Sequence, residues 1–596
     1  MKRFVLMSLL LAVVTVVSAV PAKREWRSVS QPDGTSVELM LIGDENFHFF
    51  ITRDDVPVVE NDGAYYYAQA KDNAMVASAT LAHEASLRTQ DDLQAMSTVD
   101  DVLSVRQKMV RKGPRPSNRA LRVGEEDHVS YIGSKKGLII LANFNNKKFF
   151  DYSEQDDGRV TQMRYDDIAN LVGYTNDYGA IGSVHDYYYN QSYGKFDLTF
   201  DVVGPVNLNK SYSYYGGGDD VNAPIMIKEC CMAVDSLVNF ADYDWDGDGV
   251  VEEVFVLYAG YGEATGGNRD TVWPHMWEME SAKFYYPNLD IPSPFVLDNV
   301  RINVYACSNE LSGSYGTTQL GLGVICHEFS HCLGLPDLYD TSTYGTNFGM
   351  DSWDILDQGS YNGPSSLGWV PAGYSCYERW YAGWMKPSEM KKSRRIVNQK
   401  PINEKGQCYI IYNDNCKDEY YILENRNKTD WDAYLPGEGL LIVHVDYDAD
   451  QWANNSVNAT DNSQDHERLT IFHASNSRYG GHDAYPYQTR DSLTDNSTPS
   501  AMLYNKNTDG SKLMHKPITE ITRDPATAKI SFLYRNENEQ NGIEEAEAEV
   551  ASDAGVYRLD GIKVSGNYQN GELGGLPKGT YVVRDADGKS RKVEVK

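Results

Sequence analysis

The 596-residue sequence predicts a multidomain α+β protein, on three observations. Its length accommodates several hydrophobic cores at about 150 residues per domain. Strand-like and helix-like segments alternate between residues 131 and 394. From 395 to 535 the pattern changes to short β-rich runs, which predicts a following β-sandwich-like domain. A hydrophobic content of 41% excludes a wholly disordered chain. The 55 Lys and Arg against 85 Asp and Glu give a net charge of -30, which excludes nucleic acid as an expected partner because phosphate binding needs a basic face.

The elements follow in chain order. Lys2 and Arg3 precede an apolar run from Phe4 to Val17, and the small residues Ser18 and Ala19 follow. This is the pattern of a secretory signal peptide over residues 1–19, cut after Ala19 with Ala22 as second choice. The run is shorter than the about 20 residues a membrane span requires. The expected location is therefore secreted or attached to the cell surface. Residues 20–122 carry short strand-like runs at Val37–Ile42, Phe47–Ile51 and Tyr65–Ala68. They end in a basic linker, 106–122, where Gly113, Pro114, Pro116 and Ser117 break regular structure. The linker reads as an activation segment, cut at Lys or Arg by an activating protease, which makes 20–122 a propeptide. Within 131–394, Gly137–Phe144 and Val250–Leu257 read as buried strands, and Asn222–Asn239 and Leu320–Leu333 as helices. Residues 536–554 read as a polar linker, and 555–596 as a small β unit.

The chemistry is concentrated in His327-Glu328-Phe329-Ser330-His331. Residues four apart on a helix share a face, so both imidazoles reach one Zn²⁺ and the adjacent Glu328 polarises water. Gly334 permits the left-handed turn that stops the helix, and Pro336 prevents its resumption. The reversed chain then offers Asp337 as third ligand, in the metzincin spacing H-E-x-x-H-x-x-G-x-x-D. Three protein ligands leave a fourth position open, as catalysis requires. Asp340 is a rival third ligand at a poorer spacing. Cys326 and Cys332 lie off the ligand face and read as packing.

A second metal signal is Asp242-Tyr-Asp244-Trp-Asp246-Gly247-Asp248-Gly249. Counted from Asp242 it fits a calcium loop, with Glu253 at the twelfth position. Counted from Asp244, the twelfth residue is Phe255, which cannot ligate, so the first frame is preferred. The candidate Ca²⁺ ligands are then Asp242, Asp244, Asp246, Asp248 and Glu253. His275, set between aromatics, reads as structural. The eight cysteines allow a local Cys408–Cys416 bridge or free buried thiols. The propeptide has no cysteine, so any latency must use a carboxylate, a backbone group or steric blockage.

The stretch CHEFSHCLGLPDLYD, followed by SWDILDQGSYNG, resembles the immune-inhibitor-A family of secreted zinc metalloproteases. GSVHDYYYNQSYGKFDLTFDVVGP and YYILENRNKTDWDAYLPGEGLLIVHVD resemble it too, so the likeness spans about 131–535. It implies an endopeptidase for protein or peptide substrates, made with a propeptide. It also implies zinc ligands at His327, His331 and Asp337, with Glu328 as catalytic glutamate. In that mechanism Glu328 takes a proton from the attacking water and delivers it to the leaving amine. Tyr361 is the candidate oxyanion donor. The chain departs from the family at the methionine turn beneath the metal, where it has Leu356; Met350 has a different spacing. VYRLDGIKV, LPKGTYVV and KSRKVEVK resemble sorting domains of the type IX secretion route, which implies a secretion machinery as partner. The competing reading is a catalytically inactive surface binding protein or adhesin on a metalloprotease fold. The intact set His327, Glu328, His331 and Asp337 argues against it.

Overall fold

A computed structural model describes residues 19–71, 74–97, 131–342, 347–459, 466–478 and 483–536, with strand segments between 545 and 595. The apolar run of the signal peptide and the basic linker 106–122 lie outside the described residues.

The N-terminal module is a six-stranded sheet in sequential order, from Arg27–Ser30 to Ala74–Leu81. Every neighbouring pair is antiparallel, as short hairpin connections require. Val37, Leu39, Val58 and Tyr67 fill its own small core. A helix over Gln90–Met96 closes the module, its first turn fixed by a reciprocal cap between Thr89 and Asp92.

The central sheet has five strands: β1 (Gly133–Asn143), β2 (Phe196–Asn207), β3 (Val254–Tyr261), β4 (His275–Glu278) and β5 (Val304–Leu311). Their order is β4-β5-β3-β1-β2. All neighbours are parallel except β4, which runs antiparallel along the edge of β5. β1 and β3 are apolar on both faces, the signature of a strand covered on two sides. Ile139, Leu141, Phe255 and Leu257 point to one core, which also holds Ile325, Cys326 and Phe329 of the helix Gly323–Cys332. Leu138, Ile140, Val254 and Val256 point to the other, which holds Ile227, Cys230 and Cys231 of the helix Ala223–Val234. Both helices are shorter than the apolar pattern predicts. The first begins only at Gly323, whose α-carbon lies so close to Ser360 O that an added Cβ would stand 1.9 Å from it.

The β-rich region is two packed sheets. One contains Tyr409–Tyr412, Glu419–Arg426, Gly439–Asp446 and Leu469–Ile471; the other contains Arg394–Gln399, Ile518–Arg523 and Ile530–Tyr534. Ile411, Leu423, Ile442, Ile518 and Phe532 fill the space between them. The alternate residues Ile410, Ile422, Leu441 and Val443 enter the same core as the helix Gly323–Cys332. The region reads as a separate domain in sequence, yet it shares one continuous core with the central sheet.

The predicted linker 536–554 contains a strand, Glu545–Ala548, which pairs in parallel with Arg394–Val397. The free edge of Arg394–Gln399 offers unpaired backbone groups that a further strand satisfies. At the C-terminus, Gly555–Arg558, Gly579–Arg584 and Ser590–Val595 form an antiparallel sheet. Among the described residues, no helix is long and apolar enough to cross a membrane.

Candidate metal centre

His327 and His331 lie one turn apart on the helix Gly323–Cys332, which is buried along nearly its whole length. Each ring is fixed by a backbone carbonyl: His327 Nδ1 lies 2.7 Å from Ile355 O, and His331 Nδ1 lies 2.7 Å from Leu335 O. A carbonyl only accepts, so both Nδ1 atoms carry the proton and both Nε2 atoms present lone pairs. The helix stops at Gly334, whose φ of 86° belongs to the left-handed region and whose N–H donates to His331 O at 2.8 Å. A Cβ there would also stand 2.6 Å from the Tyr381 hydroxyl. The reversal brings in Asp337.

Three atoms then form an equilateral triangle. His327 Nε2 and His331 Nε2 are 3.2 Å apart, and each is 3.2 Å from Asp337 Oδ1. Asp337 Oδ1 is buried and accepts no hydrogen bond among the described residues. Three lone pairs facing one another inside a protein repel unless a cation lies among them. A tetrahedral ion with bonds of about 2.0–2.1 Å spaces its ligands about 3.3 Å apart, so the triangle fits Zn²⁺.

Residues 128–385 match the immune inhibitor A peptidase M6 catalytic domain. The pre-pro-metalloprotease PrtV of Vibrio cholerae is 27% identical over 305 residues, covering 45% of this chain and 31% of the relative. Immune inhibitor A of Bacillus thuringiensis is 26% identical over 262 residues, covering 39% of this chain and 36% of the relative. The chain thus spans about a third of the length of these curated relatives. The match covers the central sheet and the metal triangle, and it ends before the two packed β sheets.

Around the triangle, the region that matches this family draws on the rest of the chain. Asn455, from the β-rich region, accepts from Asp337 N–H at 2.7 Å and donates through Nδ2 to Asp337 Oδ2. Sequence patterns give no sign of this contact, since 118 positions separate the two residues. Asp340 binds Ser342 N–H and Asn347 N–H, at 2.9 and 3.0 Å, and so shapes its own loop. Leu356 is fully buried, and its carbonyl accepts from Leu338 N–H at 2.9 Å, while Ile355 before it holds His327. Met350 is also fully buried.

The N-terminal segment runs through the site. Val20 N–H donates to Glu328 Oε1 at 2.9 Å, and Ala19, Val20 and Ala22 are almost fully buried. Three side chains take successive carbonyls: Tyr339 OH on Ala19 O at 2.7 Å, Trp273 Nε1–H on Val20 O at 3.0 Å, and Tyr361 OH on Pro21 O at 2.8 Å. Tyr361 therefore lies in the cleft, on Pro21 O, one residue beyond the Val20 N–H that donates to Glu328. Burial pushes the Glu328 carboxyl well above the usual range, with nearby Asp337 adding to the shift. Further out, His48 of the N-terminal module stacks on Trp273 and pairs with Glu263 at 2.8 Å.

The acidic loop differs from the preferred frame. The carboxylates of Asp244, Asp246 and Asp248 lie within 4.8 Å of one another. Asp242 is turned to Asn239 Nδ2 at 2.9 Å. Glu253 is 2% exposed beside Cys332, and burial pushes its carboxyl well above the usual range. Counted from Asp244, Gly249 is the sixth residue, at φ 85°, and Glu252 the ninth. Burial, with Asp246 and Asp244 adding to it, raises Glu252 to about 7.

His275 is held between Trp273 O at 2.7 Å and Tyr305 OH at 3.0 Å, a packing role. All eight cysteines are free thiols. Cys408 does not face Cys416 but lies with Cys376 and Glu424, their ligand atoms within 4.8 Å of one another.

Proposed function

We propose that the chain is a zinc-dependent endopeptidase made as a zymogen, and that His327, His331 and Asp337 hold the metal. The observation that carries this reading is the buried triangle of three lone-pair donors at 3.2 Å, with Glu328 beside it. A Zn²⁺ ion held there supplies Lewis acidity toward a carbonyl and toward water near neutral pH. Glu328 is the proton carrier. It accepts a proton from the attacking water at Oε2, which has no hydrogen-bond partner among the described residues, and passes it to the leaving nitrogen. Val20 N–H marks where that nitrogen stands, at 2.9 Å from Oε1.

The same contact supports latency. Residues 20–22, which follow the expected signal peptide cut, fill the cleft with backbone, so substrate has no access while the N-terminal module stays docked. Removal of this module by cleavage within 106–122 would open the cleft. The three carboxylates Asp244, Asp246 and Asp248, with Glu252 next to them, suit Ca²⁺ in a stabilising role. Export follows from the signal peptide pattern, and passage through a secretion machinery from the sorting-like residues 555–596.

The test is casein cleavage by protein trimmed within 106–122, comparing wild type with Glu328→Gln, with zinc measured on both. Wild type is expected to cut and the variant to lose at least about 100-fold in rate, with zinc near one per chain in each. A protein without zinc, or a variant as active as wild type, refutes the assignment.

A further inference from the structure

We propose that Gln358 is a substrate-binding residue, a clamp on the backbone that follows the bond being cut, and that the cleft takes extended polypeptide reaching the fifth residue beyond that bond. The proposal rests on the peptidase reading above.

The occupant of the cleft sets the direction. With the expected cut after Ala19, Val20 N is the amine of the exported chain, and it lies 2.9 Å from Glu328 Oε1. Hydrolysis leaves the released amine beside the group that gave it a proton. Residues 20–24 therefore lie as the released half of a substrate does. Their backbone is held by the region around the metal. The carbonyls of Val20, Pro21 and Ala22 accept from Trp273 Nε1–H at 3.0 Å, Tyr361 OH at 2.8 Å and Gln358 Nε2–H at 3.1 Å. Lys23 N–H donates to Ala264 O at 2.9 Å, and Arg24 N–H donates to Gln358 Oε1 at 3.4 Å. Ala22 N–H turns the other way, to Gly43 O of the N-terminal module at 2.9 Å, so that contact leaves with the module.

Gln358 differs from its neighbours in using both ends of one side chain. It is 7% exposed, and among the described residues its amide bonds only to this segment. With residues 20–24 gone, a buried donor and a buried acceptor lose their partners, a cost that an incoming backbone relieves. Local structure fixes the clamp. Gln358–Tyr361 is a single 3₁₀ turn, in which residues three apart eclipse, so both side chains meet the same strand. Asp357 caps the turn by accepting from Gln358 N–H at 2.7 Å. Ser360 O, inside the turn, is the atom against which Gly323 of the metal helix packs, and this sets the clamp relative to His327 and His331.

A clamp on backbone selects no side chain, but it does need N–H groups. Pro21 shows that proline fits at the second position beyond the cut. The N–H groups of Lys23 and Arg24 are both used, so proline at the fourth or fifth position removes a bond.

The experiment uses the full chain activated by limited proteolysis within 106–122, casein as substrate, and the peptide Val-Pro-Ala-Lys-Arg-Glu-Trp, the sequence of residues 20–26, as inhibitor. The peptide is also made as its first three residues alone, and with Arg24→Ala or Arg24→Pro. The alanine form is the reference for proline, because the Arg24 side chain reaches Asp351 at 3.8 Å. In wild type the expected result is competitive inhibition by the full peptide, inhibition about 10-fold weaker by the tripeptide, and about fivefold weaker by Arg24→Pro than by Arg24→Ala. In Gln358→Leu, with zinc unchanged, KM for casein should rise about 10-fold and the two Arg24 peptides should inhibit equally. An Arg24→Pro peptide as tight as Arg24→Ala in wild type overturns the proposal, whether or not the variant folds. A zinc-loaded Gln358→Leu that still separates the two peptides overturns it as well. A wild type that cuts casein but ignores the full peptide overturns the clamp alone, whereas a zinc-loaded wild type that cuts no casein overturns the peptidase reading itself.

Discussion

Replacing Asn455 tests how the metal triangle is held. Its side chain makes two hydrogen bonds to Asp337, one at 2.7 Å from the backbone N–H and one to Oδ2. Asn455 is 3% exposed, so no water stands ready to replace it. Its backbone φ of 52° is tolerated by asparagine, strained for alanine and free for glycine. Removing a partner that orients a metal ligand typically costs 10–100-fold in metal affinity, or about 1.4–2.8 kcal/mol. Asn455→Ala and Asn455→Gly should therefore lose zinc affinity alike, by 10–100-fold. Only the alanine variant should carry the added backbone strain, about 1 kcal/mol or more, in its unfolding midpoint. Zinc affinity is read by competition with a chelator, and strain from thermal unfolding of the metal-free proteins. Affinities within about threefold of wild type in both variants would show that Asp337 is held without Asn455, and the reasoning would fail.

Two further outcomes follow from the docking of the N-terminal module and from the acidic loop. Burial disfavours a charged His48, but Glu263 at 2.8 Å outweighs it, with Asp44 O and Asp220 assisting, and lifts the pKa to about 9. A raised folded pKa stabilises docking fully below the unfolded value of about 6.5, and the contribution, at most about 3 kcal/mol, is lost as pH rises through about 9. After linker cleavage the module should dissociate more readily at pH 9.5 than at pH 6, and His48→Phe should flatten that dependence; an unchanged slope in the variant would count against the pairing. Millimolar Ca²⁺ should raise the unfolding midpoint of wild type by a few degrees and leave Asp246→Asn unmoved; equal shifts in both would assign the ion elsewhere.

The parts legible in sequence are those set by local periodicity. His327 and His331 sit four apart on one helix, Gly334 and Pro336 end it, and Asp337 follows within a single turn of chain. β1 declared itself through a run of apolar residues that a strand covered on both faces requires. What sequence left hidden depends on distant chain segments. Gln358 was an unassigned polar residue until Ala22 O and Arg24 N–H, 336 and 334 positions away, were found on its side chain. Asn455 carries no motif, and its partner lies 118 positions upstream. The acidic loop misled for another reason. Spacing counts positions but not side-chain direction: Glu253, just before β3, turns into the core beside Cys332, while Glu252 faces the loop and accepts from Trp245 N–H at 2.7 Å. The Glu- and Ala-rich stretch that reads as a linker contains a strand because an open sheet edge elsewhere receives it.

The continuous core beneath the metal helix also constrains how such a chain can change over generations. Ile410, Ile422, Leu441 and Val443 pack against the same interior as Ile325 and Phe329. Asn458 Nδ2 donates to Leu338 O at 2.7 Å, and Glu467 accepts from Gly349 N–H at 3.0 Å. A recombination breakpoint near residue 394 would exchange one half of a fitted pair and leave the metal loop braced by a stranger. Substitutions on the two sides of that junction should therefore compensate one another. The N-terminal module meets the rest through a cleft it must later vacate, so its own sequence is freer to drift wherever it does not touch that cleft.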